Sequence, residues 1–324
     1  MKAIIYGPSR TLHLAEIDKP LPADDEVLIR VRSASVNPLD GHFLQTAPWL
    51  RSAMFKMLGA RVNRPGADVA GDVEAVGRKV TQFAVGDAVF GASGGGAFAE
   101  YACAPETKLA KKPANVSYAD AATLNIAGRT ALQGLRDVAG LASGQKVLVN
   151  GASGGVGTFA IQIAKWLGAE VTAVCSTRNL ELVRGIGADH VIDHTRDDFA
   201  KGGDSYDVIF DLVGDRPLRS LAPVLSPNGG KWIGGGVLGV EASMLHMIAG
   251  IFNAPVMSLF SKHSFKTFIA KTSRGDLPEL GKLLDAGTIK AVIDRTYALS
   301  EVPEAVRYVH SKRASGKVVI QIDH

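Results

Sequence analysis

The stretch Lys146–Asn150 (KVLVN) runs without a break into Gly151-Ala-Ser-Gly-Gly-Val-Gly157. An apolar helical pattern opens at Gly155, continues to Leu167 and is ended by Gly168. A short buried-type strand, a glycine-rich turn and a helix in that order leave few folds open. Glycine lets the chain turn sharply and lets backbone come close to a pyrophosphate. The N-terminus of the following helix then presents unpaired N–H groups and a partial positive charge. The alternation continues downstream: a strand at Glu170–Cys175, a helix at Leu180–Ile186 ended by Gly187, strands at His190–Asp193 and Asp207–Leu212, a helix at Arg216–Leu225 and a strand at Gly230–Gly234. This pattern predicts an α/β fold with a doubly wound parallel sheet of the Rossmann type. Gly151, Ser153, Gly154, Gly155, Val156 and Gly157 are the expected dinucleotide loop. Val213-Gly214 and Gly234-Gly235, at the ends of the fourth and fifth strands, lie where such sheets expose backbone to the ligand.

The rest of the chain has a different texture. Up to about residue 117 it reads as short strands, among them Val27–Ser35, Ala70–Val76, Asp87–Gly91 and Ala97–Ala104, punctuated by Pro65-Gly66, Gly77, Gly86-Asp87 and Gly94–Gly96. That is a β-rich, antiparallel domain. Tyr118–Ala142 is Ala- and Leu-rich with helical spacing, and Ser117 with Asp120 marks its start. Beyond about residue 270 two helical segments, Leu277–Asp285 and Val302–Ser311, precede a strand at Lys317–Ile322. These cannot form a core alone and are expected to pack back on the N-terminal domain. The expected division is 1–117 with 272–324, and 118–271.

Composition narrows the function classes. The 324 residues are 46% hydrophobic and 21% charged, with 36 basic against 32 acidic side chains. The basic residues are scattered, and the only tight cluster is Lys108, Lys111 and Lys112, so a nucleic-acid footprint is not expected. Two cysteines, Cys103 and Cys175, cannot build a disulfide framework or a four-cysteine zinc site. The N-terminus has no long apolar core, so no secretory signal is read. The most apolar run, Met244–Phe260, is interrupted by His246, Asn253 and Pro255 and is too short for stable membrane insertion. A buried helix, a dimer contact and a lid over an apolar site all remain open for it.

The second strand ends in Cys175-Ser176-Thr177-Arg178, 19 residues past Gly157 at Ser176, with no carboxylate. NAD-preferring sites place an acid there to accept from the ribose 2′-OH. Hydroxyls and a guanidinium suit a 2′-phosphate instead, so Ser176, Thr177 and Arg178 point to NADP(H). A helix cap at Ser176 or Thr177 is compatible with that role. His194, closing the third strand, either flanks the same pocket or sits in solvent.

Taken together, Ser35-Val-Asn-Pro-Leu-Asp40, Pro65-Gly-Ala-Asp-Val-Ala-Gly71, Val85-Gly-Asp87, Gly128-Arg-Thr-Ala131, the loop at 151–157 and the closing Gly316-Lys-Val-Val-Ile320 resemble the zinc-independent NADPH:quinone oxidoreductases of the medium-chain dehydrogenase/reductase superfamily. The resemblance spans essentially the whole chain. It implies a GroES-like β-rich catalytic domain split around the Rossmann domain, and a homodimer. Zinc-dependent relatives carry a cysteine in the segment matching 35–40, a Gly-His-Glu at the segment matching 66–68, and a four-cysteine lobe. Here those segments read SVNPLD and Gly66-Ala67-Asp68, and no cysteine lies between Cys103 and Cys175. No metal is therefore expected.

The resemblance implies hydride transfer from NADPH to a small hydrophobic electrophile, a quinone or an α,β-unsaturated carbonyl compound; the two cysteines, too few for a disulfide framework, point to a reducing, cytoplasmic compartment. Asn37 is placed beside the nicotinamide, where its amide would polarise the substrate oxygen; turn capping before Pro38 is the alternative. Asp40 would hold that turn or relay a proton. Asp68 reads as a cap for backbone N–H groups. Thr130 is carried over as a nicotinamide contact and Lys317 as a cofactor-site lysine. Phe43, Trp49 and Phe55 are the expected apolar substrate contacts. Arg129 has no account from sequence. An enoyl or alkenal reductase with little quinone activity, and a low-turnover NADPH-binding structural or interaction protein, stay open as alternatives.

Overall fold

In a computed structural model the chain is described at residues 1–7, 10–46, 49, 64–93, 95–235, 254, 257–258, 261–273 and 275–324. It divides by internal contacts into two units. The first comprises Met1–Ile126, Thr272–Gly287 and Ala291–His324; the second comprises Ala127–Lys271 and Thr288–Lys290.

The first unit begins with the strands β1 (Lys2–Tyr6) and β2 (Leu12–Glu16), an antiparallel pair. Next come β3 (Glu26–Val36), helix α1 (Pro38–Gln45), β4 (Asp68–Val76), β5 (Ala88–Ala92), β6 (Tyr101–Pro105), β7 (Leu109–Lys111) and helix α2 (Tyr118–Ala122). The strand read at Ala97–Ala104 forms four residues later than expected, at Tyr101. Helix α1 starts where sequence chemistry favours it. Asn37 is the N-cap, Pro38 follows at the first position, and the Asp40 carboxylate accepts the Asn37 N–H at 2.9 Å.

The second unit begins at Ala127, and α3 (Arg129–Leu132) lies between two π-helical stretches, Leu124–Gly128, which starts in the first unit, and Gln133–Ala139. The continuous helix expected over Tyr118–Ala142 is therefore several short pieces. There follow β8 (Lys146–Asn150), α4 (Gly155–Trp166), β9 (Glu170–Cys175), α5 (Leu180–Gly185), β10 (His190–Asp193), β11 (Val208–Asp211), α6 (Leu218–Leu221), β12 (Lys231–Gly235) and β13 (Ser264–Phe268). Every pairing is parallel and the order is β10-β9-β8-β11-β12-β13. This is the doubly wound sheet with its switch point between β8 and β11, where ligands of such sheets bind. Its core gathers Leu148, Val174, Ile209, Trp232 and Phe265, joined by Ala254 from the apolar 244–260 run. Ser258 of the same run accepts the Phe265 N–H at 2.8 Å. The described part of that run thus packs in the Rossmann core.

The tail supplies α7 (Asp276–Asp285), β14 (Ile293–Ala298), α8 (Val302–His310) and β15 (Lys317–Gln321). β15 pairs antiparallel with β3, so the tail returns to the first unit's sheet, ordered β14-β15-β3-β4-β5-β7, with β6 also on β3. Val302 and Val306 of α8 join Val27, Ile29, Val31, Phe98, Val318 and Ile320 in one core. Burying each such side chain stabilises by roughly 1.5–3 kcal/mol.

Candidate functional site

Two polar centres stand out, one in each unit. In the first unit, β3, β4 and β15 bring Ser35, Asn37, Asp68 and Lys317 together beneath the start of α1. Asp68 is wholly buried, and Lys317 and Asn37 are each 3% exposed. The Lys317 ammonium donates to Asn37 Oδ1 at 2.7 Å and to the Val36 carbonyl at 3.1 Å, and lies 3.7 Å from Asp68 Oδ2. Asp68 Oδ2 also accepts from Ser35 Oγ at 2.7 Å and Asn37 Nδ2 at 2.9 Å. Asp68 Oδ1 accepts from Asn125 Nδ2 at 2.7 Å and from the Ile126 N–H at 3.2 Å. Burial lowers the Lys317 pKa, and the neighbouring carboxylates oppose that fall.

This geometry revises three expectations. Lys317, carried over as a cofactor-site lysine, is buried, with its ammonium against Asp68 and bonded to Asn37 Oδ1. Asp68 holds four side chains and a single backbone N–H, so it is the hub of a network more than a backbone cap. Asn37 has no free donor: its second N–H goes to the Ser35 carbonyl at 3.3 Å. An amide with both N–H groups engaged cannot polarise a substrate oxygen without giving up a bond.

Asp40 lies beside this network. Its two oxygens accept from the N–H groups of Asn37 at 2.9 Å and Gly66 at 3.2 Å. Burial pushes its pKa up to about 7; the Asn37 bond opposes the rise and the Asp68 charge adds to it. Phe43 is buried in α1, Trp49 is 75% exposed, and Phe55 lies outside the described residues.

The second centre is the glycine loop. Gly151 has φ +83°, which suits only glycine, and a Cβ on Gly157 would stand 2.2 Å from the Gly151 carbonyl oxygen. The N-cap Gly154 has no side chain with which to cap α4, whose first internal bond runs from Thr158 N–H to Gly154 O at 2.9 Å. The N–H groups of Gly155, Val156 and Gly157 precede that bond, as an anion site requires. Ser153 accepts from Asn179 Nδ2 at 2.9 Å, which ties the loop to the turn after β9.

Around this loop the other expected residues divide. Ser176 is half-buried, while Thr177, Arg178 and His194 are exposed. Thr130 is buried in α3. The N–H groups of Val213 and Gly214 both go to Asp211 Oδ1, at 3.1 and 3.0 Å, so they cap a turn and are not offered outward. Gly234 and Gly235 are buried, and a Cβ on either would meet the ring of Trp232 at 2.5 Å or Phe210 at 2.8 Å. Their small size serves packing. Arg129 gains an account: its Nη1 donates to the Lys271 carbonyl at 3.4 Å, and Gln133 brackets the same residue with bonds of 2.7 and 2.9 Å. They fix the chain where it leaves β13.

Two family models match the chain, an alcohol dehydrogenase GroES-like domain over residues 23–114 and a zinc-binding dehydrogenase domain over residues 186–320. A chloroplast envelope quinone oxidoreductase homolog of Arabidopsis thaliana is 33% identical over 330 residues, which cover 97% of this chain and 95% of that protein. A chloroplastic NADPH-dependent alkenal/one oxidoreductase of the same plant is 32% identical over 339 residues, covering 99% and 79%. The structure of the quinone oxidoreductase from Coxiella burnetii matches with a TM-score of 0.86 at 27% identity, covering 100% and 99%. The chain belongs to the quinone oxidoreductase family of the medium-chain dehydrogenases/reductases.

Metal-bound proteins share the fold. A cobalt- and zinc-bound thermostable alcohol dehydrogenase from Pyrobaculum aerophilum matches with a TM-score of 0.81 at 29% identity over 99% of each chain. The residues of this family member do not fit zinc at the corresponding segments. Asn37 is engaged at both ends of its amide, the Ala67 side chain carries no ligating atom, and the Lys317 ammonium already stands against Asp68. The glycine loop, by contrast, fits a dinucleotide on its own geometry.

Sequence reasoning missed Asp211 and Asp193. Asp211 is buried and bonds Asn150 Nδ2 at 2.9 Å and Trp232 Nε1 at 3.1 Å, which locks the ends of β8, β11 and β12 together. Asp193 closes the strand read at His190–Asp193, which is its one sequence signal, whereas Asp211 lies one residue inside the strand read at Asp207–Leu212 and ends it only in the structure.

Proposed function

We propose that this chain is a zinc-independent, NADPH-dependent oxidoreductase that delivers hydride to quinones or α,β-unsaturated carbonyl compounds. The observation that carries the proposal is the Lys317–Asn37–Asp68 cluster. A buried ammonium there makes a second cation costly. Without a Lewis acid, an unactivated alcohol is a poor hydride donor, and acceptors that are already electrophilic fit better. The reduced nicotinamide, when bound, supplies the hydride.

The chain's part is to hold and orient. Gly151, Ser153, Gly154, Gly155, Val156 and Gly157 cradle the pyrophosphate, and Ser176 and Arg178 face the 2′-phosphate end with charge-assisted bonds. Phe43, Trp49 and Phe55 are assigned to the apolar acceptor. Asp40, with its pKa near 7, can both hold and release a proton at neutral pH, which suits a relay to the reduced product. Relatives named for 2-methylene-furan-3-one reduction and for trans-enoyl reduction support the electrophile class.

The test is loss of NADPH absorbance with a quinone and an enone side by side, with zinc measured on the same sample. Turnover of the enone alone would make the protein an alkenal reductase. Tight NADPH binding with no oxidation of either would make it a binding protein. About one zinc per chain would overturn the metal-free reading. The proposal extends to a cytoplasmic homodimer. Several relatives are chloroplastic or mitochondrial by name, so fractionation and sedimentation check it. Among the described residues no helix is long and apolar enough to cross a membrane.

A further inference from the structure

The carboxyl ends of β9 and β10 lie side by side, with Asp193 in register with Cys175. Thr177, two residues past Cys175, donates its hydroxyl to Asp193 Oδ2 at 2.5 Å. Asp193 Oδ1 accepts the N–H and the hydroxyl of Thr195 at 3.0 and 2.7 Å. Arg196 Nε stands 3.8 Å from Oδ2 on a side chain that is 74% exposed. These bonds, that of Thr177 foremost, hold the Asp193 pKa down to about 2, so the group is an anion at any physiological pH.

A carboxylate therefore stands next to Ser176-Thr177-Arg178 after all, one strand over from where dinucleotide sites usually carry it. A phosphate dianion only accepts hydrogen bonds, and the single proton of Thr177 is already committed to Asp193. A ribose 2′-OH, which both donates and accepts, can use this corner without that conflict. Resting on the NADPH reading above, we propose that Asp193 is a specificity-determining residue at the adenosine end of the dinucleotide. Its fixed charge and its hold on Thr177 limit the preference for a 2′-phosphate over a free 2′-OH. Ser176 and Arg178 supply the attraction, and Asp193 opposes it.

The test needs no turnover. The full chain is titrated calorimetrically with 2′,5′-ADP and with 5′-AMP, which differ only in the 2′-phosphate. Asp193→Asn keeps an oxygen for Thr195 and turns an amide toward the Thr177 oxygen, so the local turn is retained. Circular dichroism checks the fold. Thr177→Val removes the hydroxyl and keeps the charge. The expected result is that Asp193→Asn raises the preference for 2′,5′-ADP over 5′-AMP about three- to tenfold, less at high salt, and that Thr177→Val does not raise it. A preference in Asp193→Asn within twofold of wild type would overturn the inference, as would an equal rise in Thr177→Val. Equal binding of both nucleotides by wild type overturns the NADPH reading, and a rise in Asp193→Asn then still supports the role of Asp193. A wild-type preference that Asp193→Asn leaves unchanged overturns only the inference.

Discussion

At the residue scale the Lys317–Asp68 pair makes the sharpest demand on the fold. A buried ammonium with its partner removed, or the reverse, leaves a charge with no solvent to screen it. Lys317→Met should destabilise the first unit by about 3–5 kcal/mol, because the buried Asp68 loses its counter-charge and Asn37 Oδ1 loses its donor. The double variant Lys317→Met with Asp68→Asn should recover much of that loss. Urea unfolding of the wild type and both variants checks this, and equal losses in the two variants would contradict an ion-pair role. Asp40 makes a demand of a different kind. Its folded pKa lies above the unfolded value, so the folded state holds the proton more tightly. Its contribution is fully present below pH about 4 and is lost as the pH rises toward about 7. Thermal midpoints measured across that window should carry a downward component that Asp40→Asn removes. An identical slope in the variant would refute the assignment. The sequence marked Asn37, Asp40 and Lys317, but Asn37 and Lys317 meet each other and Asp68 from segments far apart in the chain, and no spacing rule announces that Lys317 will take the Asn37 oxygen.

At the element scale the glycine loop was legible because local chemistry alone dictates it. A Cβ on Gly157 would meet two backbone oxygens, of Gly151 at 2.2 Å and Ala152 at 2.6 Å, and backbone cannot step aside as a side chain can. Gly157→Ala should therefore weaken NADPH binding by at least about tenfold by moving the loop that the helix N-terminus depends on. Fluorescence titration measures this, and unchanged binding would remove the loop from the site. The strands β13 and β14 escaped sequence reading for a physical reason. Each sits at a sheet edge and buries a single residue, Phe265 or Tyr297, so main-chain pairing makes the strand and no hydrophobic alternation advertises it. The helical reading of Tyr118–Ala142 was right in kind. The π-helical turn at Leu124–Gly128 is what carries Asn125 and Ile126 to Asp68, and helical periodicity gives no sign of it.

At the scale of the whole molecule, the change of texture near residue 117 marks a change from strands to helices, while contacts divide the chain after Ile126. Helix α2 packs on β3 and β4, so it goes with the strands that precede it. Thr288–Lys290 join the Rossmann unit because Gln162 brackets Lys290 with bonds of 3.0 and 2.8 Å. A glutamine that pairs with backbone some 128 residues away leaves no trace in local sequence. The family was legible because its motifs are spread over the full length. The acceptor was not, because Phe43 and Trp49 say only that the ligand is apolar. The proposed reduction of electrophiles from NADPH without a metal draws on all three scales. The most direct measurement is NADPH oxidation by a quinone and an enone after exhaustive chelation, with NADP⁺-linked oxidation of a simple alcohol run beside it. The expected result is undiminished turnover of at least one electrophile and no alcohol oxidation. Activity that vanishes on chelation and returns with zinc, or alcohol oxidation that matches reduction, would contradict the account.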